Sequence, residues 1–242
     1  MEKGLLEAEK KHLLLMLKEA KGEELKNVEV AFTKKYAYDA VSFEGNNHIT
    51  LEEVDTLISA KTLINRSERE QKEVLNHVRA YDYVKKAVAN KQVITEEFLK
   101  DLHQMIVQDI MNGGYYRQVN VQLLGSTHQP PDHLKVYDRM KKFMVNLQEF
   151  KGDAVELACY AHLSISKIHP FVDGNGRLAR LVLNFVLLQH DYLPISISKA
   201  NQKAYFHALD TFKEEKDMKP MVELVSGLLL NRYNEVNQAL AK

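Results

Sequence analysis

Apolar side chains recur at three- and four-residue intervals along nearly the whole 242-residue chain, and residues that break helices are few, with 10 glycines and 5 prolines. That spacing gathers apolar groups on one stripe of a helix, so the expected fold class is all-α. The pattern predicts helices over 5–20, 24–43, 51–61, 68–91, 95–111, 136–149, 153–168, 176–190, 199–215 and 218–240. Thr50 and Ser67 each precede a glutamate by three residues (Glu53, Glu70), the spacing of a capping box. One stretch has another period: Val119, Val121 and Leu123 alternate with Gln118, Asn120 and Gln122, which is strand logic. The following GSTHQPPDH carries Pro130 and Pro131, which cannot continue a ladder or a helix, so an exposed turn or hairpin is expected. No repeat, low-complexity tract or long linker divides the sequence. One compact helical unit with a small β flap accounts for it.

Lysine plus arginine and aspartate plus glutamate balance at 33 each, so no global field draws the chain to nucleic acid or an anionic membrane. A charged ligand must be held locally. The lone cysteine, Cys159, sits in the apolar pattern ELACYAHL and reads as core filler in a reducing compartment. Apolar runs such as LVLNFVLL fall far short of the roughly 20 residues that span a bilayer. The N-terminal sequence, rich in Glu and Lys, lacks the look of a secretory leader, so the expected location is cytoplasmic.

The stretch HPFVDGNGRLAR, His169 to Arg180, concentrates polar chemistry between apolar helical segments. Gly174, Asn175 and Gly176 lie where a loop enters a helix, and free N–H groups at a helix start bind anions. Arg177 and Arg180 are three apart and share a face, ready to grip phosphate oxygens. At a helix start they oppose the dipole, which makes sense once an anion is bound. Asp173 beside such a loop suits Mg²⁺, an ion that prefers oxygen ligands. His169 has the acidity of a general base for a hydroxyl. Singly, a GNG turn or a histidine before a proline means little; together they serve one task.

This stretch resembles the Fic-domain motif H-x-F-x-[DE]-G-N-G-R-x-x-R at every fixed position. The resemblance implies a mainly α Fic fold and transfer of AMP from ATP to a Ser, Thr or Tyr hydroxyl of a protein target, with release of pyrophosphate. By that analogy His169 is the base, Asp173 holds Mg²⁺ against the phosphates, Gly174, Asn175 and Gly176 cradle the anion, and Arg177 and Arg180 grip the outer phosphates. Phe171 would pack inward. RQVNVQLLGSTHQPP looks like the family's target-clamping flap, with Gln122, Leu123 and Gly125 as its contacts. Tyr205 stands where the family places an aromatic near adenine, although Lys213 replaces an expected asparagine.

Upstream, SFEGN at 42–46 resembles the inhibitory motif [ST]-x-x-x-E-[GN], and EVLNHVRA at 73–80 resembles the accompanying E-x-x-N-x-x-x-A. On that reading Glu44 pairs with Arg180 and autoinhibits the enzyme. Ala40 stands where the motif asks for Ser or Thr, so inhibition is expected to leak. Residues 1–66 would carry this regulatory region and 67–242 the catalytic core, packed as one unit. The expected partners are ATP and a protein target, the chain itself included, with no nucleic acid or membrane and with self-association open. His162 and His169, without a third ligand, do not make a zinc site. Two alternatives stay open: removal of AMP by the same site, and a nucleotide-binding module without catalysis.

Overall fold

A computed structural model describes residues 2–20, 22–43, 45–122 and 129–241. Ten α-helices follow in order: α1 Glu2–Glu19, α2 Gly22–Ser42, α3 Leu51–Ala60, α4 Glu68–Ala89, α5 Glu96–Ile106, α6 Val136–Gln148, α7 Ala154–Ile168, α8 Asn175–Gln189, α9 Gln202–Glu215 and α10 Lys219–Leu240. The all-α expectation holds. Capping boxes form as expected at Thr50 and Ser67, and a third, at Asp153 with Glu156, starts α7.

Helix α8 is the centre of the molecule. Leu178, Ala179, Leu181, Val182, Phe185, Val186 and Leu187 are all buried, so this helix is apolar nearly all round after its first turn. It packs along α7 and is flanked by α4 and α5. The same continuous core takes in Leu6 and Leu13 of α1 and Leu229 and Tyr233 of α10. Cys159 is buried within α7, and burial pushes its thiol up. No described helix is long and apolar enough to cross a membrane.

Two boundaries differ from the pattern. The apolar spacing predicts a helix to 111, but α5 ends at Ile106. Asn76, fully buried on α4, donates from Nδ2 to the carbonyls of Ile106 (3.2 Å) and Gln108 (2.8 Å), and Asp109 adopts φ 58°. A side chain from another helix thus caps the freed carbonyls and turns the chain. Before α9, residues Lys199–Asn201 form a 3₁₀ turn closed by Ser198 and Asn201.

No strand occurs among the described residues of 117–132. The alternation there buries no face, since Val119 is more than half exposed. Side chains tie the two ends of this segment instead: Asn120 Oδ1 accepts from the His133 N–H (2.8 Å), and Asn120 Nδ2 donates to Asp132 (3.2 Å). Gln122 is exposed, whereas Leu123 and Gly125 lie outside the described residues.

Candidate active site

His169 ends α7. Its φ of 51° and ψ of 61° place it in the left-handed region, where the helix cannot continue, while its N–H closes the last turn on Ile165 (2.8 Å). The chain then leaves the core carrying a half-buried imidazole. Arg117 fixes this exit: Nε donates to the His169 carbonyl (2.8 Å), Nη1 to that of Val119 (2.9 Å) and Nη2 to that of Pro131. Its main-chain N–H donates to Pro170 (2.9 Å). Only 2% exposed, Arg117 holds both ends of the 119–131 segment to the loop that carries the histidine.

The loop itself is closed by Asn175. Its Oδ1 accepts from the Phe171 N–H and its Nδ2 donates to the Phe171 carbonyl, both at 2.9 Å. Those bonds occupy the Asn175 side chain, so what it offers a ligand is main chain. Phe171 packs inward and lies flat on His103, with ring centroids 3.8 Å apart and planes 6° from parallel. His103 Nδ1 accepts the Gly114 N–H (3.0 Å), which leaves Nε2 to carry the proton donated to the Asp173 carbonyl (2.9 Å). Burial lowers the imidazole to about 4, so it is held neutral in that tautomer.

Gly174 begins α8 with φ 78°, and no side chain caps the helix. The first intrahelical bond runs from Leu178 N–H to the Gly174 carbonyl (2.9 Å), so the N–H groups of Asn175, Gly176 and Arg177 have no acceptor within the helix. Arg177 and Arg180 are 8% and 3% exposed. Arg177 Nη1 and Arg180 Nε are buried without hydrogen-bond partners among the described residues. Buried guanidinium donors left open are costly unless something accepts from them. Arg180 Nη2 donates to the Ala40 carbonyl at the end of α2 (2.9 Å), and its guanidinium lies 5.0 Å from the Phe43 ring centre. An open cavity of about 510 Å³ lies between the end of α2, the start of α4 and the loop, lined in part by Ala40, Arg69, Glu73, Asp173 and Arg177.

Asp173 presents a partly exposed carboxylate at the loop edge. Its Oδ1 accepts from the Gly174 N–H (2.6 Å), and Oδ2 faces Arg69 (3.0 Å) and Arg177 (3.7 Å). Among the described residues no three His, Cys, Asp or Glu side chains gather into a metal cluster. One hard oxygen donor beside a phosphate-binding loop still fits Mg²⁺, which keeps several waters and takes further ligands from phosphates.

The structure therefore brings together His169, Asp173, Gly174, Asn175, Gly176, Arg177 and Arg180. Tyr205 is not among the residues that line this cavity. It is buried on α9, meets Phe43 edge-on at 5.0 Å between centroids, and its hydroxyl pairs with Nε2 of His162 (3.0 Å). His162 is a packed residue, fully buried. The charged stretch after Lys213 is a helix end, as its composition indicates: Lys216 caps α9 with φ 65°. Glu44 lies outside the described residues. His103 and Arg69 carry contacts that the sequence did not single out, and Asn76 and Arg117, though inside the stretches quoted for the two further motifs, carry contacts that those motifs did not announce; each acts on a residue distant in the chain.

Residues 93–187 match the Fic/DOC family. Over 198 residues, 79% of this chain, the sequence is 29% identical to "Protein adenylyltransferase Fic" of Drosophila persimilis and likewise of Drosophila grimshawi. It spans only 38% and 40% of those two relatives' lengths. A Fic domain containing signaling protein from Bacteroides thetaiotaomicron superposes with a TM-score of 0.88 at 25% identity, covering 100% of this chain and 97% of that one. Fic-1 from C. elegans shares the fold, with a TM-score of 0.81 at 20% identity over 99% of this chain and 73% of that one. The motif loop, the uncapped helix start and the two buried arginines of α8 all lie inside the segment that matches the Fic/DOC family, and the fold around them is that of Fic-domain structures.

Proposed function

We propose that the chain transfers AMP from ATP to a hydroxyl of a protein target. The observation that carries this reading is that Arg177 Nη1 and Arg180 Nε, buried at the uncapped start of α8, have no acceptor among the described residues, a site whose donors want a polyanion. The triphosphate lies along the start of α8, held by Gly174, Asn175 and Gly176 through main chain and by the two arginines. His169 takes the proton of the target Ser, Thr or Tyr hydroxyl. The oxygen attacks the α-phosphorus, the bond from that phosphorus to the bridging oxygen breaks, and pyrophosphate leaves. In such in-line displacement, alignment and charge neutralisation do most of the work. Mg²⁺ held by Asp173 would neutralise phosphate charge. Residues around Gln122, Leu123 and Gly125 receive the target segment, and the adenine lies toward α9 and Tyr205.

The reading includes autoinhibition by Glu44 from the N-terminal region, residues 1–66. Its support is the chain just before Glu44, since the Ala40 carbonyl and the Phe43 ring both contact Arg180, the group that the γ-phosphate needs. The single buried cysteine accords with a cytoplasmic location.

Incubation of the purified protein with labelled ATP and Mg²⁺ tests the proposal. Labelling of the chain or of a target is expected, stronger for Glu44→Gly and absent for His169→Ala. Labelling that survives His169→Ala overturns the mechanism. Hydrolysis of AMP from a modified protein, lost in Glu44→Gly, would establish the reverse reaction, and ATP binding without any transfer would establish a nucleotide-binding module.

A further inference from the structure

Asp173 is not an idle carboxylate. Arg69, from the first turns of α4 and outside the segment matched to the Fic/DOC family, places Nη2 3.0 Å from Asp173 Oδ2. The same oxygen faces Arg177 at 3.7 Å, and the other accepts the Gly174 N–H. Both oxygens that a divalent ion would use are therefore engaged. Resting on the reading of Asp173 as the metal-holding residue, we propose that Arg69 is a resident cation on Asp173 that must be withdrawn before a divalent ion binds there, so that Arg69 sets the affinity of the site for the ion.

The surroundings make Arg69 displaceable. Its side chain is 62% exposed and already touches a second carboxylate, Glu73 Oε1, through Nε at 3.2 Å. When Asp173 turns to an ion, the guanidinium keeps Glu73 and solvent, so no buried charge is stranded. Glu73 is itself fixed, because its other oxygen accepts from Asn47 Nδ2 (2.9 Å), which also donates to the Glu70 carbonyl (3.0 Å). Asn47 is 3% exposed, in the segment just past α2, and the neighbouring His48 N–H donates to Glu70 (2.8 Å). A continuous polar chain thus runs from that segment through Glu73 and Arg69 to Asp173. Arg69 and a divalent ion are like charges competing for one oxygen. Exposed ion pairs of this kind are weak, so the competition tunes the site without closing it.

Mn²⁺ binding decides the matter independently of catalysis. Mn²⁺ is titrated by water-proton relaxation into the full chain with a saturating non-hydrolysable ATP analogue, as wild type, Arg69→Ala, Arg69→Lys and Asp173→Asn. Arg69→Ala is expected to tighten Mn²⁺ by roughly threefold to tenfold, Arg69→Lys to lie between it and wild type, and Asp173→Asn to lose the ion. Unchanged or weaker Mn²⁺ binding in Arg69→Ala, with the ion still lost in Asp173→Asn, overturns the placeholder and leaves the metal role of Asp173 standing. Wild-type affinity in Asp173→Asn overturns both. Circular dichroism of each variant checks that the helices are intact.

Discussion

At the scale of single residues, the site is held by groups whose conformation or protonation has one workable value. Gly174 has φ 78°, and a Cβ there would lie 3.3 Å from Val107 and 3.4 Å from Ile106. Gly174→Ala is expected to cost about 1–2 kcal/mol in chemical denaturation and to weaken ATP binding, measured by calorimetry, because the start of α8 shifts. Three buried histidines make the fold acid-sensitive. Burial lowers His103 and His162 to about 4 and His77 well below 6.5, with Arg180 and Arg177 adding to the effect at His77. Each is neutral when folded and takes a proton more readily when unfolded. Their contribution is complete above about pH 6.5, shrinks as pH falls, and is gone for His103 and His162 below about 4, a loss of roughly 3 kcal/mol apiece at most. Denaturation midpoints measured from pH 7 to pH 4 check this; a flat profile would contradict it.

Among elements, α2 is the one whose hold on the site can be varied. Its last turns are fixed through Asp39, which accepts from Ser196 Oγ and from Lys35, both at 2.7 Å. Position 40, where the resembled motif has a hydroxyl, is Ala40 and offers Arg180 only its carbonyl. Ser196→Ala is therefore expected to free the end of α2 and raise AMP transfer several-fold, the equivalent of about 1 kcal/mol, without removing any residue that touches the nucleotide; labelling assays compare it with Glu44→Gly. Ser67→Ala, which removes the capping hydroxyl of α4, is expected to cost about 1 kcal/mol in thermal or chemical unfolding. The helices were legible because each buries a stripe at its own period, and the motif loop because HPFVDGNGRLAR puts His169, Asp173, Arg177 and Arg180 within one short stretch. What was not legible depends on contacts across long stretches of chain. Arg117 holding the His169 carbonyl and Arg69 reaching Asp173 leave no mark on local spacing, and the motif that contains Asn76 does not announce that its side chain stops α5. The alternation at 118–123 has strand period but no buried face, and side-chain ties at Asn120 take the place of a ladder.

Across the whole molecule, one core joins the N-terminal helix to α7 and α8. Leu13 of α1 is 3% exposed in the same apolar cluster as Phe185 of α8. Leu13→Ala is expected to lose about 2–4 kcal/mol, and to lower the midpoint of a single calorimetric transition; a separate early transition for the N-terminal region would show that α1 and α2 melt on their own. The sealed position of Cys159 has a practical side. A thiol that is fully buried and pushed away from its reactive form stays silent toward maleimide reagents. A cysteine introduced at an exposed place such as Ile64 can then carry a fluorophore or spin label at one defined point, and movement of the segment between α3 and α4 becomes visible without first stripping the native sulfur from the chain.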